Sequence, residues 1–62
     1  MQKNTSPTLI PAWQAKLQRS LIVDRMAVAT ALGVTERTIY NWSIGKGAPR
    51  LRDLAWLEDW AA

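Results

Sequence analysis

The sequence contains no cysteine and no histidine. These absences exclude disulfide bonds, the thiolate and imidazole ligands of structural zinc sites, and every catalytic scheme that needs a cysteine or histidine side chain. The five acidic residues form no evident pair for acid–base catalysis either. We therefore expect no enzyme activity, no catalytic residue, no metal and no cofactor, and a fold that depends on packing alone.

Long apolar runs are also missing. No run approaches the roughly 20 residues that a membrane-spanning helix needs, and residues 1–7 are too polar for a signal peptide. The lack of cysteine fits a reducing compartment, so we expect a cytoplasmic protein that does not enter a membrane. With 62 residues the chain has room for one small domain, which would gain stability from a partner subunit.

Charge is unevenly distributed along the chain. The first 52 residues hold eight basic and two acidic side chains, a net charge of +6, whereas residues 53–62 hold three acidic side chains and no basic one. A basic body with an acidic tail indicates a polyanion as partner on one side of the molecule.

The periodicity of apolar residues separates an arm from a domain. Residues 1–8 are polar and show no periodicity, so we expect a flexible N-terminal arm. Over residues 9–62 the pattern predicts one compact all-α domain of four helices, with a range of three to five. The first helix carries an apolar stripe of Ile10, Trp13, Leu17 and Leu21.

Two further helices follow, joined by a glycine turn. Asp24 is a good N-cap for a helix over residues 25–32. Gly33 can end that helix because glycine adopts the left-handed conformation without steric cost. Thr35 then caps a third helix over residues 35–44, on which Ile39 and Trp42 point inward.

A glycine- and proline-containing turn, residues 45–49, leads to a last helix over residues 50–60. Leu51, Leu54 and Leu57 are predicted to face inward, while Trp56 and Trp60 are offset from them, so the helix has two apolar surfaces. We expect a homodimer whose interface contains Trp56, Leu57 and Trp60. The alternative is that Trp60 folds back onto the first helix.

The segment RMAVATALGVTERTIYNW, residues 25–42, resembles the helix-turn-helix of phage Cro and CI-type (lambda repressor-like) DNA-binding proteins. The resemblance implies that Ala29 lies where two helices cross closely and that Gly33 makes the sharp turn four residues later. Apolar residues then lock the second helix so that its outer face projects into a major groove. The sequence departs from the family pattern at Arg25, where a phosphate-contacting glutamine is common.

The outward face of the third helix has side chains suited to base edges. Arginine can form two hydrogen bonds to guanine and asparagine two to adenine, glutamate can accept one from cytosine, and tyrosine and isoleucine can contact a thymine methyl. The predicted base-reading residues are Glu36, Arg37, Tyr40, Asn41 and Ile44. The predicted contacts to the DNA backbone are Arg25, Thr35, Thr38, Ser43 and Lys46.

These features together predict a sequence-specific regulator of transcription. The expected partner is double-stranded DNA with an inverted-repeat operator, bound by a homodimer that acts as a small Cro-like repressor of phage or mobile-element type. No small-molecule ligand is expected. The alternatives are an excisionase or other architectural DNA-binding factor, and an antitoxin-like module that binds another protein through the last helix.

Overall fold

A computed structural model describes residues 10–62, which form four helices and no strand. The prediction of an all-α four-helix domain is confirmed. The predicted arm, residues 1–8, lies outside the described residues. Within the described part, no helix is both long and apolar enough to cross a membrane. The helices are α1 (Ala12–Arg19), α2 (Ile22–Leu32), α3 (Glu36–Ser43) and α4 (Leu51–Ala61).

The core lies where α1 and α3 meet their neighbours. Helix α1 packs against both α3 and α4, and α3 also packs against α2. The two tryptophans predicted on the core stripes, Trp13 and Trp42, are buried as expected. Three side chains with no exposed surface, Leu17, Ile39 and Leu57, come from α1, α3 and α4 and join these helices. The core is completed by Val28 and Ala29 of α2.

The start of α2 differs from the prediction. The helix begins at Ile22 with Leu21 as its N-cap, and no side chain caps it. The amide of Asp24 donates to the carbonyl of Leu21 at 3.0 Å, so Asp24 already lies within the first turn. The prediction that Asp24 is the N-cap is therefore wrong. Its carboxylate instead lies near the helix N-terminus, where the partial positive charge of the backbone favours it.

The turn between α2 and α3 forms as predicted. Gly33 has a left-handed backbone with φ of 72°, and its amide donates to the carbonyls of Ala29 and Thr30. Thr35 caps α3, because its hydroxyl oxygen accepts a hydrogen bond from the amide of Thr38 at 3.1 Å. The two caps fix the short connection that turns the chain from α2 into α3.

Leu51 does not face the core, contrary to the prediction. It is 84% exposed, whereas Asp53 is only 2% exposed and Leu54 is half-buried. Leu51 is the first residue of α4 and lies on the solvent side of that turn. Asp53 lies in the first turn of α4, where the partial positive charge of the helix favours a carboxylate, and the Nε atoms of Arg50 and Arg52 lie 3.5 and 3.6 Å from its oxygens. Its Oδ2 atom is buried and forms no hydrogen bond within residues 10–62.

We expect Gly33→Ala to lower the free energy of unfolding by about 1 kcal/mol. A Cβ atom at residue 33 would meet no neighbour within 4 Å, so the loss would come from the left-handed backbone alone. Denaturant unfolding measures the change. Gly33→Asn is the matched control, because asparagine tolerates this backbone better and should retain more stability. Equal unfolding midpoints for the native protein and both variants would contradict the assignment.

Candidate nucleic-acid interface

One face of α3 is exposed along its whole length. Tyr40 and Ile44 are 46% and 48% exposed, Arg37 is exposed and Asn41 is half-buried. Within residues 10–62, the side chains of Arg37, Tyr40 and Asn41 form no hydrogen bond or ion pair. Four of the five predicted base-reading side chains therefore share a surface on which their polar groups can meet a ligand.

Glu36, the fifth predicted base-reading residue, is paired with another predicted DNA contact. The Nε atom of Arg25 lies 3.5 Å from Oε2 of Glu36, and the two side chains are 19% and 38% exposed. Nη1 of Arg25 also donates to the carbonyl of Ser20 at 2.9 Å. These contacts join the first turns of α2 and α3, so a DNA contact by either side chain would compete with the pair.

The threonines at the N-terminus of α3 remain near the surface. Thr35 is exposed and Thr38 is half-buried, and their hydroxyl oxygens lie 3.0 Å apart. A hydroxyl can both donate and accept, so each can still bond an external group. The unpaired amides at the start of α3 lie in the same turn and carry the partial positive charge that favours phosphate.

Ser43, at the C-terminal end of α3, was predicted to contact a DNA phosphate, and the structure contradicts this prediction. It is 4% exposed, and its hydroxyl donates to the carbonyl of Tyr40 at 2.6 Å. Its own carbonyl accepts hydrogen bonds from Nε2 of Gln18 at 2.7 Å and Nε2 of Gln14 at 3.3 Å. Because Ser43 is enclosed by these contacts, it fixes the end of α3 and does not face a ligand.

Gln14 and Gln18 were missed by the sequence reasoning, which left them outside the apolar stripe of α1. They are four residues apart and therefore share one side of the helix. The spacing of four residues predicts that the two side chains lie together, but it does not indicate which carbonyl they bind. The structure shows that α1 holds the last turn of α3 through both side chains.

The turn after α3 presents Lys46 to solvent. Gly45 and Gly47 on either side of it have φ angles of 82° and 84°, in the left-handed region. The amide of Lys46 donates to the carbonyl of Asn41 at 2.8 Å, so the turn folds back onto α3. An exposed ammonium group therefore lies in the segment directly after the exposed face of α3.

The predicted dimer residues of α4 have different surroundings. Leu57 has no exposed surface, so it belongs to the core and cannot contact a second subunit. Trp60 folds back onto α1: Nζ of Lys16 lies 4.2 Å from its ring centroid and donates to its carbonyl at 2.8 Å. Trp56 stacks on Trp60 with ring centroids 6.3 Å apart and is 37% exposed. Of the three residues, Trp56 offers the most surface.

The pair of Arg25 and Glu36 should stabilise the joint between α2 and α3. We expect Glu36→Ala to lower the free energy of unfolding by about 0.5–1 kcal/mol and Arg37→Ala to change it by less than about 0.5 kcal/mol, because Arg37 is exposed. A double-mutant cycle with Arg25→Ala measures the coupling. A coupling energy of zero would show that the pair contributes nothing to this joint.

Comparison of the chain with protein-family models, with curated proteins and with solved structures finds no match. The function proposed below therefore depends on the sequence and on the geometry of residues 10–62.

Proposed function

We propose that this protein binds double-stranded DNA in a sequence-specific manner and regulates transcription by occupying an operator. The observation that carries the proposal is the exposed face of α3, which presents Arg37, Tyr40, Asn41 and Ile44 together while Ile39 and Trp42 bury the opposite face. A helix with side chains is about 10–12 Å wide, which matches the major groove of about 12 Å.

The spacing of these side chains suits the reading of consecutive base pairs. Arg37 and Asn41 are four residues apart and share one side of α3, and Ile44 follows three residues later as the C-cap of the helix. Arginine suits guanine, asparagine suits adenine, and an apolar side chain suits the methyl group of thymine. These side chains therefore combine three kinds of contact that distinguish base pairs in the major groove.

Contacts from neighbouring helices hold α3 in place in the absence of DNA, and this supports a role in base recognition. The ion pair of Arg25 and Glu36 holds its first turn, and Gln14 and Gln18 hold the carbonyl of Ser43 in its last turn. A helix held at both ends loses little conformational freedom on binding, which favours affinity and discrimination between sequences.

Contacts to the DNA backbone would come from Lys46, from the hydroxyls of Thr35 and Thr38, and from the amides at the start of α3. We further propose that two copies bind an inverted repeat, with their α3 helices about 34–36 Å apart. Such a repressor acts in the cytoplasm, by occupancy and without chemistry.

The excisionase alternative is the weaker one, because such factors often carry a β-hairpin wing after the reading helix. Here residues 51–61 are helical, and residues 10–62 contain no strand.

Selection from a pool of random DNA duplexes tests the proposal. The native protein should enrich an inverted repeat, and the double variant Arg37→Ala with Asn41→Ala should lose or relax that preference, because both base-reading side chains are removed. Each lost base contact should cost about 1–3 kcal/mol of discrimination. If the native protein enriches no sequence even at low salt, the proposal is wrong.

Lys46→Ala is the comparison variant, because it removes a positive charge but no proposed base contact. We expect it to weaken binding by a similar factor for all sequences and to reduce the slope of log affinity against log salt by about 1. Arg37→Ala should instead change which sequences are preferred. Titrations at several salt concentrations with the selected duplex and a scrambled one measure both effects. Identical behaviour of the two variants would contradict the division of roles.

A further inference from the structure

The C-terminal end of α3 is completed by side chains of another helix. The last four carbonyls of an α-helix have no amide partner within the helix itself. In α3, backbone amides of residues 44–46 donate to the carbonyls of residues 40–42. Within residues 10–62, the carbonyl of Ser43 accepts instead from the side-chain amides of Gln14 and Gln18. The position of this carbonyl therefore depends on α1.

The two amides differ in how closely they bind. Nε2 of Gln18 lies 2.7 Å from the carbonyl oxygen of Ser43, whereas Nε2 of Gln14 lies 3.3 Å from it, so the first bond has the better geometry. A Cβ atom built on Gly45 would lie 3.8 Å from Nε2 of Gln14, so this side chain also lies against the turn after α3. Because Ser43 is only 4% exposed, water cannot readily replace the two amides.

The anchored carbonyl lies beside one end of the exposed face of α3. Asn41 precedes Ser43 by two residues and Ile44 follows it directly. Arg37 lies six residues before Ser43, about 9 Å away along the helix axis, and next to the ion-paired Glu36. A displacement at the C-terminal end would therefore move Asn41 and Ile44 more than Arg37.

Hydrogen bonds to base edges depend strongly on position. They require defined distances and angles, and a shift of about 1 Å weakens them. A flexible ammonium group such as that of Lys46 can follow a phosphate through the same shift. Loss of the glutamine amides should therefore reduce discrimination between bases and leave the salt dependence of binding unchanged.

We propose that Gln14 and Gln18 are positioning residues for the C-terminal half of the reading helix. They set how strictly the base pairs facing Asn41 and Ile44 are discriminated, through the carbonyl of Ser43 and without touching the DNA themselves. The inference rests on the proposed function, since it assigns part of the specificity of the same surface to a neighbouring helix. The base pair that faces the N-terminal half of α3 should not depend on the glutamines.

Selection from random duplexes with Gln18→Met tests the proposal on DNA. Methionine has a similar length and no amide donor, so packing is largely kept. Selections with Arg37→Ala and Asn41→Ala first identify the base pair that each of these side chains reads. Gln18→Met should then lower discrimination about threefold or more at the Asn41 base pair and less than about twofold at the Arg37 base pair. Equal loss at both base pairs, or loss at neither, would overturn the proposal.

Thr30→Val is the matched control. It also removes a side-chain hydrogen bond to a backbone carbonyl, that of Met26 at 3.0 Å, but this bond lies on α2 and is exposed. It should leave discrimination unchanged at both base pairs, and Gln14→Met should act more weakly than Gln18→Met because its bond is longer. If the control variant reproduced the pattern of Gln18→Met, general loss of stability would explain the effect and the positioning role would be wrong.

Amide hydrogen exchange without DNA separates this inference from the proposed function. Gln18→Met should speed exchange of the amides of residues 44–46 about two- to tenfold, because they bond to the last turn of α3. The amides of Thr38 and Ile39, which bond to Thr35 in the first turn, should exchange as in the native protein. Unchanged exchange at residues 44–46 would contradict the positioning role even if the native protein enriches an operator. Faster exchange together with no enriched sequence would show that the proposed function alone had failed at the DNA, while the glutamines still hold the end of α3.

Discussion

The complete burial of Ile39 fixes how α3 is rotated about its own axis. Neighbouring helical residues point about 100° apart, so placing Ile39 in the core turns Tyr40 towards solvent. Trp42, buried three residues later, holds the same orientation. Arg37, Asn41 and Ile44 are then left on the outer side, and every proposed base contact depends on this rotation. With no disulfide possible, packing must maintain it.

Polar contacts limit movement of α3 along its axis, whereas apolar contacts set its rotation. Ile39 and Trp42 set the rotation of α3, but an apolar contact tolerates small shifts along the helix axis. Hydrogen bonds from two glutamines to the carbonyl of Ser43 have defined directions and limit such shifts. The ion pair of Arg25 and Glu36 acts at the opposite end. Both charged residues were expected to contact DNA, and the structure gives them an internal partner instead.

The sequence predicts the parts of the fold that depend on local chemistry. Gly33 and Thr35 were identified because a left-handed turn favours glycine and a helix start favours a hydroxyl, and both requirements can be recognised within a few residues. The inward residues Ile39 and Trp42 follow from the 3.6-residue period. Arg37, Tyr40, Asn41 and Ile44 were placed on the exposed face by the same period, so this part of the candidate site was predictable.

The sequence-based predictions are wrong at positions where local residue type allows more than one conformation and contacts in the folded protein select one of them. By residue type Asp24 is as good an N-cap as Thr35. The helix α2 nevertheless begins at Ile22, two residues before Asp24, so Asp24 lies inside the helix. Leu51 was expected to face inward but is exposed, whereas Asp53 is buried in the first turn of α4 with two arginines nearby. Periodicity cannot show that Ser43 would be enclosed by side chains from α1. Each of these outcomes depends on residues distant in the sequence or on the helix end.

The same period that identifies the buried side of a helix also shows when the outer side is unusual. For α3 the outer side combines hydrogen-bonding and apolar side chains, a composition that suits base edges. For α2 the exposed residues include the apolar Ile22, Val23 and Met26 and also the polar Asp24 and Thr30, a mixed composition that indicates no particular ligand.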